Sequence, residues 1–321
     1  MSLALNPYII AEIGSNFDQN LSKAKKLITA AKKSGASAVK FQLFSGVELY
    51  PDNIKMQKIF NKMELKKSWI IKLRQFSQKK KIDFFLSVFD KKNLAFLESK
   101  NFKFYKVASS ETTNIDLLKK LARKKNTIFL STGMCDLDDV TKAYKILKNT
   151  KLTIMQCHSV YPLKINDANI NTIKLFKEKF KDCNFGFSDH TTGNIAAITA
   201  VGLGATVFEK HFTLNKKSKG PDHFYSYEPA EFASYVKDIN DSFKSLGLMK
   251  KYLLEEERKT GRREGIYLKK SIKKDTKIKK NLIYFKTPAL GIRSKYINKI
   301  IGKKLKINKK KDSPLFIDNL K

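Results

Sequence analysis

A long apolar run is the first thing this 321-residue sequence lacks. No stretch approaches the roughly 18–20 apolar residues needed to cross a bilayer. Residues 1–8 have neither the basic start nor the apolar segment of a secretory leader, so a cytoplasmic protein with no membrane partner is the expectation. Cysteine is scarce as well. Cys135, Cys157 and Cys183 are an odd number without CxxC spacing, each in or beside an apolar run. That pattern points to buried reduced thiols rather than a disulfide framework or a zinc site. Acidic residues are few: 30 Asp+Glu face 65 Lys+Arg, a formal charge of +35. A field of that strength attracts polyanions. The lysines, however, are spread along the chain, as in Lys79-Lys80-Lys81, Lys119-Lys120, Lys303-Lys304 and Lys309-Lys310-Lys311. A nucleic-acid binder gathers them with aromatics on one recognition element, so solvated helix faces and no specific nucleic-acid partner are expected.

What is present is enough to fold. With 42% hydrophobic and 11% aromatic residues the chain can offset its conformational entropy despite 30% charge. Short apolar runs rich in β-branched and aromatic residues occupy 8–14, 38–44, 84–89, 104–109, 128–133, 152–157, 184–190 and 206–212. Each stays nearly continuously apolar until a polar group appears near its end, the signature of a parallel strand buried on both faces. Amphipathic helical patterns lie between and after them, for example at 21–34, 65–81, 115–125, 137–149, 170–180, 194–204 and 230–247. Eight such alternations are the order and length of a (β/α)₈ TIM barrel; a doubly wound sheet seldom needs eight similar units. After residue 247 the pattern breaks. A barrel over 1–250, a charged linker over 251–261 and a small mixed domain with short strands over 262–321 are the expected organisation. About 60 residues are marginal alone, so packing of that last domain on a barrel, its own or a partner's, is expected.

A barrel puts its chemistry at the C-terminal strand ends. There the sequence has Glu12, then Lys40 and Gln42, Ser87, Lys106 with Ser109 and Glu111, Ser131, Ser159 and Tyr161, His190, and Glu209 with His211. Each alone has a bland explanation as a solvated lysine, a turn hydroxyl or a hydrogen-bonded core histidine. Together they suit a phosphorylated anion beside a divalent metal, because lysines and hydroxyls match phosphate and carboxylate oxygens and imidazoles match Mn²⁺, Fe²⁺, Co²⁺ or Zn²⁺. The His190–His211 spacing, 211 − 190 = 21, fits adjacent barrel strands and not one helix.

The segments Ala11-Glu-Ile-Gly-Ser-Asn16, Val39-Lys-Phe-Gln42, Lys106-Val-Ala-Ser-Ser-Glu111, Leu130-Ser-Thr-Gly-Met134, Gly186-Phe-Ser-Asp-His190, Glu209-Lys-His-Phe-Thr213 and Gly220-Pro-Asp222 resemble, in order, the motifs of the sialic acid synthase family. Residues 262–267, 273–276 and 300–302 resemble that family's C-terminal antifreeze-like (SAF) domain. The resemblance implies condensation of phosphoenolpyruvate with the open-chain aldehyde of an N-acylated amino sugar to a nine-carbon 2-keto acid and phosphate. The acceptor would be N-acetylmannosamine or a 2,4-diacetamido-trideoxyhexose. It implies a divalent cation on His190 and His211, Mn²⁺ first and Mg²⁺ or Co²⁺ as alternatives. It implies phosphoenolpyruvate binding by Lys40, Ser87, Lys106, Ser109, Ser131, Ser159 and Tyr161, and acidic catalytic positions at Glu12, Glu111 and Glu209. Asp222 would bind the acceptor sugar, in a homodimer with exchanged SAF domains. Three positions depart from the pattern: Ser87 for Thr, Ser159 for Asn, and Thr287 for the SAF-domain Arg, which leaves Lys286 and Arg293 as candidate acceptor contacts. A 3-deoxy-heptulosonate synthase is the nearest alternative, and a non-catalytic basic barrel binding an anionic polymer is another. His158 and His223 are expected to be structural or rim residues.

Overall fold

The computed structural model of the chain describes residues 6–123, 126–259 and 262–321. Residues 124–125 of the expected helix 115–125, and 260–261 of the expected linker, lie outside them. The chain divides into two compact units, 1–247 and 248–321, so the linker expected at 251–261 groups with the second unit.

In the first unit, strands β1 (Tyr8–Gly14), β2 (Ala38–Leu43), β3 (Asp83–Val88), β4 (Phe104–Val107), β5 (Thr127–Ser131), β6 (Lys151–Gln156), β7 (Asn184–Asp189) and β8 (Val207–His211) close into a parallel barrel in sequence order. All eight expected runs are strands. Successive side chains of a strand face opposite ways, and the sequence parity shows which way. Ile9, Ala11, Val39, Phe41, Leu86, Tyr105, Ile128 and Ile154 pack outward in the large core under the helices. Ile10, Ala38, Phe85, Phe129, Met155 and Val207, of the other parity, form a separate cluster inside. The Phe85 and Phe129 rings stack there 5.2 Å apart, so the barrel is plugged and not a pore. Two residues further along the same inward rows stand Glu12, Lys40, Ser87, Ser131 and Glu209, all buried on top of that plug.

The helices α1 (Leu21–Lys33), α2 (Gly46–Leu49), α3 (Ile54–Asn61), α4 (Lys67–Lys79), α5 (Lys91–Ser99), α6 (Ile115–Ala122), α7 (Leu137–Leu147), α8 (Thr172–Lys179), α9 (Ile195–Gly202) and α10 (Pro229–Ser245) follow the strands. Local chemistry starts them: the side chains of Asn20, Asp90 and Asn114 accept from backbone N–H groups of the first turn, and Asp136 forms a capping box with Asp139. The lysines at 79–81 and 303–304 are exposed. Among the described residues, no helix is long and apolar enough to cross a membrane.

The second unit contains α11 (Glu255–Lys259), an antiparallel pair of β9 (Gly265–Leu268) and β10 (Ile283–Lys286), and α12 (Ile297–Ile300). Its own core is aliphatic, built on Ile266, Leu268, Ile278, Ile283, Leu305 and Leu315. Lys286 and Arg293 belong to this unit, where the Lys286 ammonium lies 5.6 Å from the Tyr267 ring centroid.

Candidate active site

A cavity of about 650 Å³ opens over the polar ring at the strand ends, large enough for two small molecules side by side. Glu12, Lys40, Ser87, Lys106, Ser109, Ser131, Ser159, Tyr161, His190, Glu209, His211 and Asp222 all line it. Glu111 does not. It closes a short 3₁₀ turn after β4, and its carboxylate accepts from Asn114 at the start of α6 (2.8 Å) and from Ser110 (3.2 Å).

The floor holds two ammoniums and two carboxylates. Lys40 Nζ lies 3.3 Å from Glu12 Oε2 and 3.1 Å from Glu209 Oε1. Lys106 Nζ donates to Ser131 Oγ at 2.5 Å and is 3.7 Å from Glu209 Oε1, which also accepts from Ser188 Oγ at 3.2 Å. Gln42 donates to Glu12 Oε1 at 2.8 Å, while Glu12 Oε2 and Glu209 Oε2 are buried without a hydrogen-bond donor. The two carboxylates part company electrostatically. Burial raises Glu12 to about 7, Lys40 opposing and Glu209 adding to it. Burial would also raise Glu209, but Lys106 and Lys40 outweigh it and bring the group down to about 2. One acid is therefore held ionised and its neighbour titrates near neutrality, the separation of roles that acid–base chemistry requires.

That shift has a consequence for stability. A carboxyl raised in the folded state contributes stability below its unfolded pKa of about 4.5 and loses it as pH climbs through about 7. Gln mimics the protonated form, so Glu12→Gln is expected to gain stability over wild type progressively from pH 4.5 to 7, by about 3 kcal/mol at the plateau. Urea denaturation midpoints across that range test it; identical pH slopes for the two proteins would refute the shift.

The two imidazoles sit at neighbouring strand ends with ring centroids 5.6 Å apart. His190 Nδ1 donates to the His158 carbonyl at 2.6 Å, which leaves Nε2 as the nitrogen with a free lone pair. Burial pushes His211 down to about 3, so its ring is neutral, and its Nδ1 is buried without a partner. Burial opposes charge on His190 too, but Cys157 and the His158 carbonyl outweigh it and raise its pKa; with that proton displaced, two imidazoles lining one cavity fit a divalent cation that keeps other positions open. Among the described residues, no cluster of three or more His, Cys, Asp or Glu is arranged to hold a metal.

Close backbone approach shapes the walls. Gly14 has φ +53°, and a Cβ there would stand 2.9 Å from Asp222 Oδ2. At Gly133 a Cβ would meet Ser159 Oγ at 2.5 Å and Ser109 Oγ at 2.8 Å, and the Gly133 N–H donates to Ser109 Oγ. Asp222 accepts from Ser15 Oγ at 3.0 Å and from Tyr225 OH at 2.6 Å. Tyr225 was not singled out by the sequence, yet its ring lies 4.9 Å from His211 and 5.0 Å from Tyr161, which in turn lies 4.2 Å from His190. Cys157 and Ser188 also line the cavity; the inward parity of Ser188 with His190 was a usable signal, whereas Tyr225 stands in a loop with no period to read. His158 lies apart from the cavity lining, and His223 is buried between Thr213 Oγ1 (2.7 Å) and Asp18 Oδ1 (2.9 Å).

Residues 27–251 match the NeuB family. An uncharacterised protein of Methanocaldococcus jannaschii is 36% identical over 98% of this chain and 94% of its own length. An N,N'-diacetyllegionaminic acid synthase of Legionella pneumophila is 33% identical over 94% of this chain and 91% of its own. The crystal structure of an N-acetylneuraminic acid synthetase of Leptospira borgpetersenii, in complex with citrate, is 32% identical and superposes with a TM-score of 0.75, covering 79% of this chain and 90% of that one. With its motifs in order, its barrel closed and its polar ring assembled, the chain belongs to the NeuB family.

Proposed function

We propose that the protein is a nonulosonate synthase, a transferase that joins phosphoenolpyruvate to the open-chain aldehyde of an N-acylated hexosamine and releases a nine-carbon 2-keto acid and phosphate. The observation that carries this reading is the buried floor itself: Lys40 and Lys106 beside serine hydroxyls, next to two imidazoles on neighbouring strands. The ammoniums and the hydroxyls of Ser87, Ser109 and Ser131 take the carboxylate and phosphate oxygens of phosphoenolpyruvate. His190 and His211 would hold a divalent cation, Mn²⁺ first, which supplies Lewis-acid polarisation of the aldehyde oxygen when bound. Attack by the enol carbon C3 on the aldehyde forms the new C–C bond, turns the aldehyde oxygen into an alkoxide and leaves positive charge at C2, which the Glu209 carboxylate, kept ionised by Lys106 and Lys40, would stabilise. Water then adds to C2, and one of its protons passes by way of Glu12 to the alkoxide formed from the aldehyde; the C2–O bond breaks as the remaining hydroxyl gives its proton to the departing phosphate, leaving the 2-keto group. Glu12, titrating near 7, accepts the water proton. The apolar plug beneath and the aromatic wall of Tyr161 and Tyr225 limit bulk water and hold the reactants close.

Purified protein given phosphoenolpyruvate, Mn²⁺ and a panel of aldehydes tests the reading. Phosphate release should require an N-acylated hexosamine, either N-acetylmannosamine or a 2,4-diacetamido-trideoxyhexose, and mass spectrometry should show the nine-carbon product. Turnover with erythrose 4-phosphate alone, or with none of the panel, would reject it.

A further inference from the structure

The barrel carries a second buried ion pair that the proposed chemistry does not use. Asp189 and Lys210 have the outward parity of their strands, face the helix layer, and are 1% and 2% exposed. A buried pair of ions is not an economical way to stabilise a fold, since well-packed apolar residues do as well, so its placement calls for another account. Each residue immediately precedes one of the two imidazoles: Asp189 precedes His190 and Lys210 precedes His211.

The contacts are specific. Asp189 Oδ1 accepts from the backbone N–H of Thr191 at 2.8 Å and from its hydroxyl at 2.7 Å, closing an Asx turn with His190 at its middle. Lys210 Nζ is 3.0 Å from Asp189 Oδ2 and donates to the Thr191 carbonyl at 2.5 Å, so the turn is tied from both sides to β8. The His190 carbonyl is held by Leu163 N–H at 2.8 Å, and the His211 carbonyl by Tyr227 N–H at 2.8 Å. The Tyr227 ring lies 4.5 Å from the Lys210 ammonium. Every bond in this set joins the backbone next to one imidazole to the backbone next to the other, or secures one of them.

We propose that Asp189 and Lys210, through Thr191, are positioning residues that brace the ends of β7 and β8 from behind and thereby set His190 and His211 at the separation at which they share one divalent cation. The inference rests on the metal reading of those two histidines. Groups that orient ligating imidazoles cost roughly 10–100-fold in metal affinity when removed.

The test is Mn²⁺ titration of the full chain, reading free Mn²⁺ by electron paramagnetic resonance, with circular dichroism to establish folding. Wild type should bind one Mn²⁺. Lys210→Met should weaken binding by about 10-fold or more. The neutral double variant Asp189→Asn, Lys210→Gln, which leaves no unpaired buried ion, should show the same loss, and Thr191→Val a loss of a few-fold. In the folded variants kcat should fall while KM for phosphoenolpyruvate stays within about 3-fold, because Lys40 and Lys106 are untouched. Folded variants with wild-type Mn²⁺ affinity would overturn the brace and leave only a structural staple. Loss of folding in both charge variants together with normal affinity in Thr191→Val would overturn it equally. If wild type itself binds no Mn²⁺, the metal reading falls and the brace with it, an outcome distinct from failure of the brace alone.

Discussion

Excess chelator is expected to abolish phosphate release, Mn²⁺ to restore it, and His211→Ala to stay inactive at Mn²⁺ concentrations that saturate wild type. The expectation follows from the state of the two rings. His211 is buried and neutral, with a nitrogen that no protein donor or acceptor satisfies, and an unpaired buried polar group is costly unless something else takes it up. His190 is fixed by its Nδ1 bond to the His158 carbonyl, so that in the neutral ring the lone pair is on the other nitrogen. Polarisation of a carbonyl oxygen by a cation is worth several kcal/mol of transition-state stabilisation, or about 10³-fold in rate. The cavity floor has no substitute for it, because both lysines there are engaged with carboxylates or a hydroxyl. Undiminished turnover in excess chelator would remove the metal from the mechanism and return His190 and His211 to the role of hydrogen-bonding groups.

The barrel was legible because a strand buried on both faces writes itself as a near-continuous apolar run; each of the eight expected runs agrees with its strand to within two residues at either end. The inward row of the site was legible for the same reason, since Glu12, Lys40, Ser87, Lys106 and Glu209 break apolar runs at one parity and near one end. What periodicity does not encode was less visible. The insertion carrying α2 and α3, which brings Tyr50 and Phe60 to the cavity, is too short and polar to stand out between β2 and α4. Glu111 falls in a run with Lys106 and Ser109, but the 3₁₀ turn after β4 carries its carboxylate to the start of α6. Asp189 and Lys210 lie in two of the motifs, yet only the register that sets them side by side shows that they are partners.

Lys106→Met and Lys40→Met are each expected to lower kcat/KM by about 10²-fold or more, a lost charge-assisted contact in a water-poor site being worth roughly 3 kcal/mol, but by different routes. Lys106 is fully buried, its ammonium bonded to the Ser131 hydroxyl with the nearest carboxylate oxygen 3.7 Å away. Burial pushes its pKa down, Glu209 offsetting part of the effect, so an incoming phosphate or carboxylate is the partner that lowers its energy. Its removal should act mainly on KM for phosphoenolpyruvate. Lys40 is instead wedged between Glu12 and Glu209 at 3.3 and 3.1 Å, and burial notwithstanding, those two carboxylates raise its pKa. Removing it leaves two buried carboxylates facing each other without their shared cation. Glu12 should then move above 7 and Glu209 above its present low value, because the charge that opposes their burial is gone. Lys40→Met should therefore lower kcat, shift the pH profile to the basic side and destabilise the folded protein at neutral pH, whereas Lys106→Met leaves Glu12 and Lys40 in place and should shift neither the profile nor the stability as far. Steady-state kinetics over pH, with a denaturation curve for each variant, separates the two. Equal KM effects with unchanged pH profiles would mean that the lysines act as interchangeable anion contacts and that the Glu12–Lys40–Glu209 coupling plays no part in catalysis.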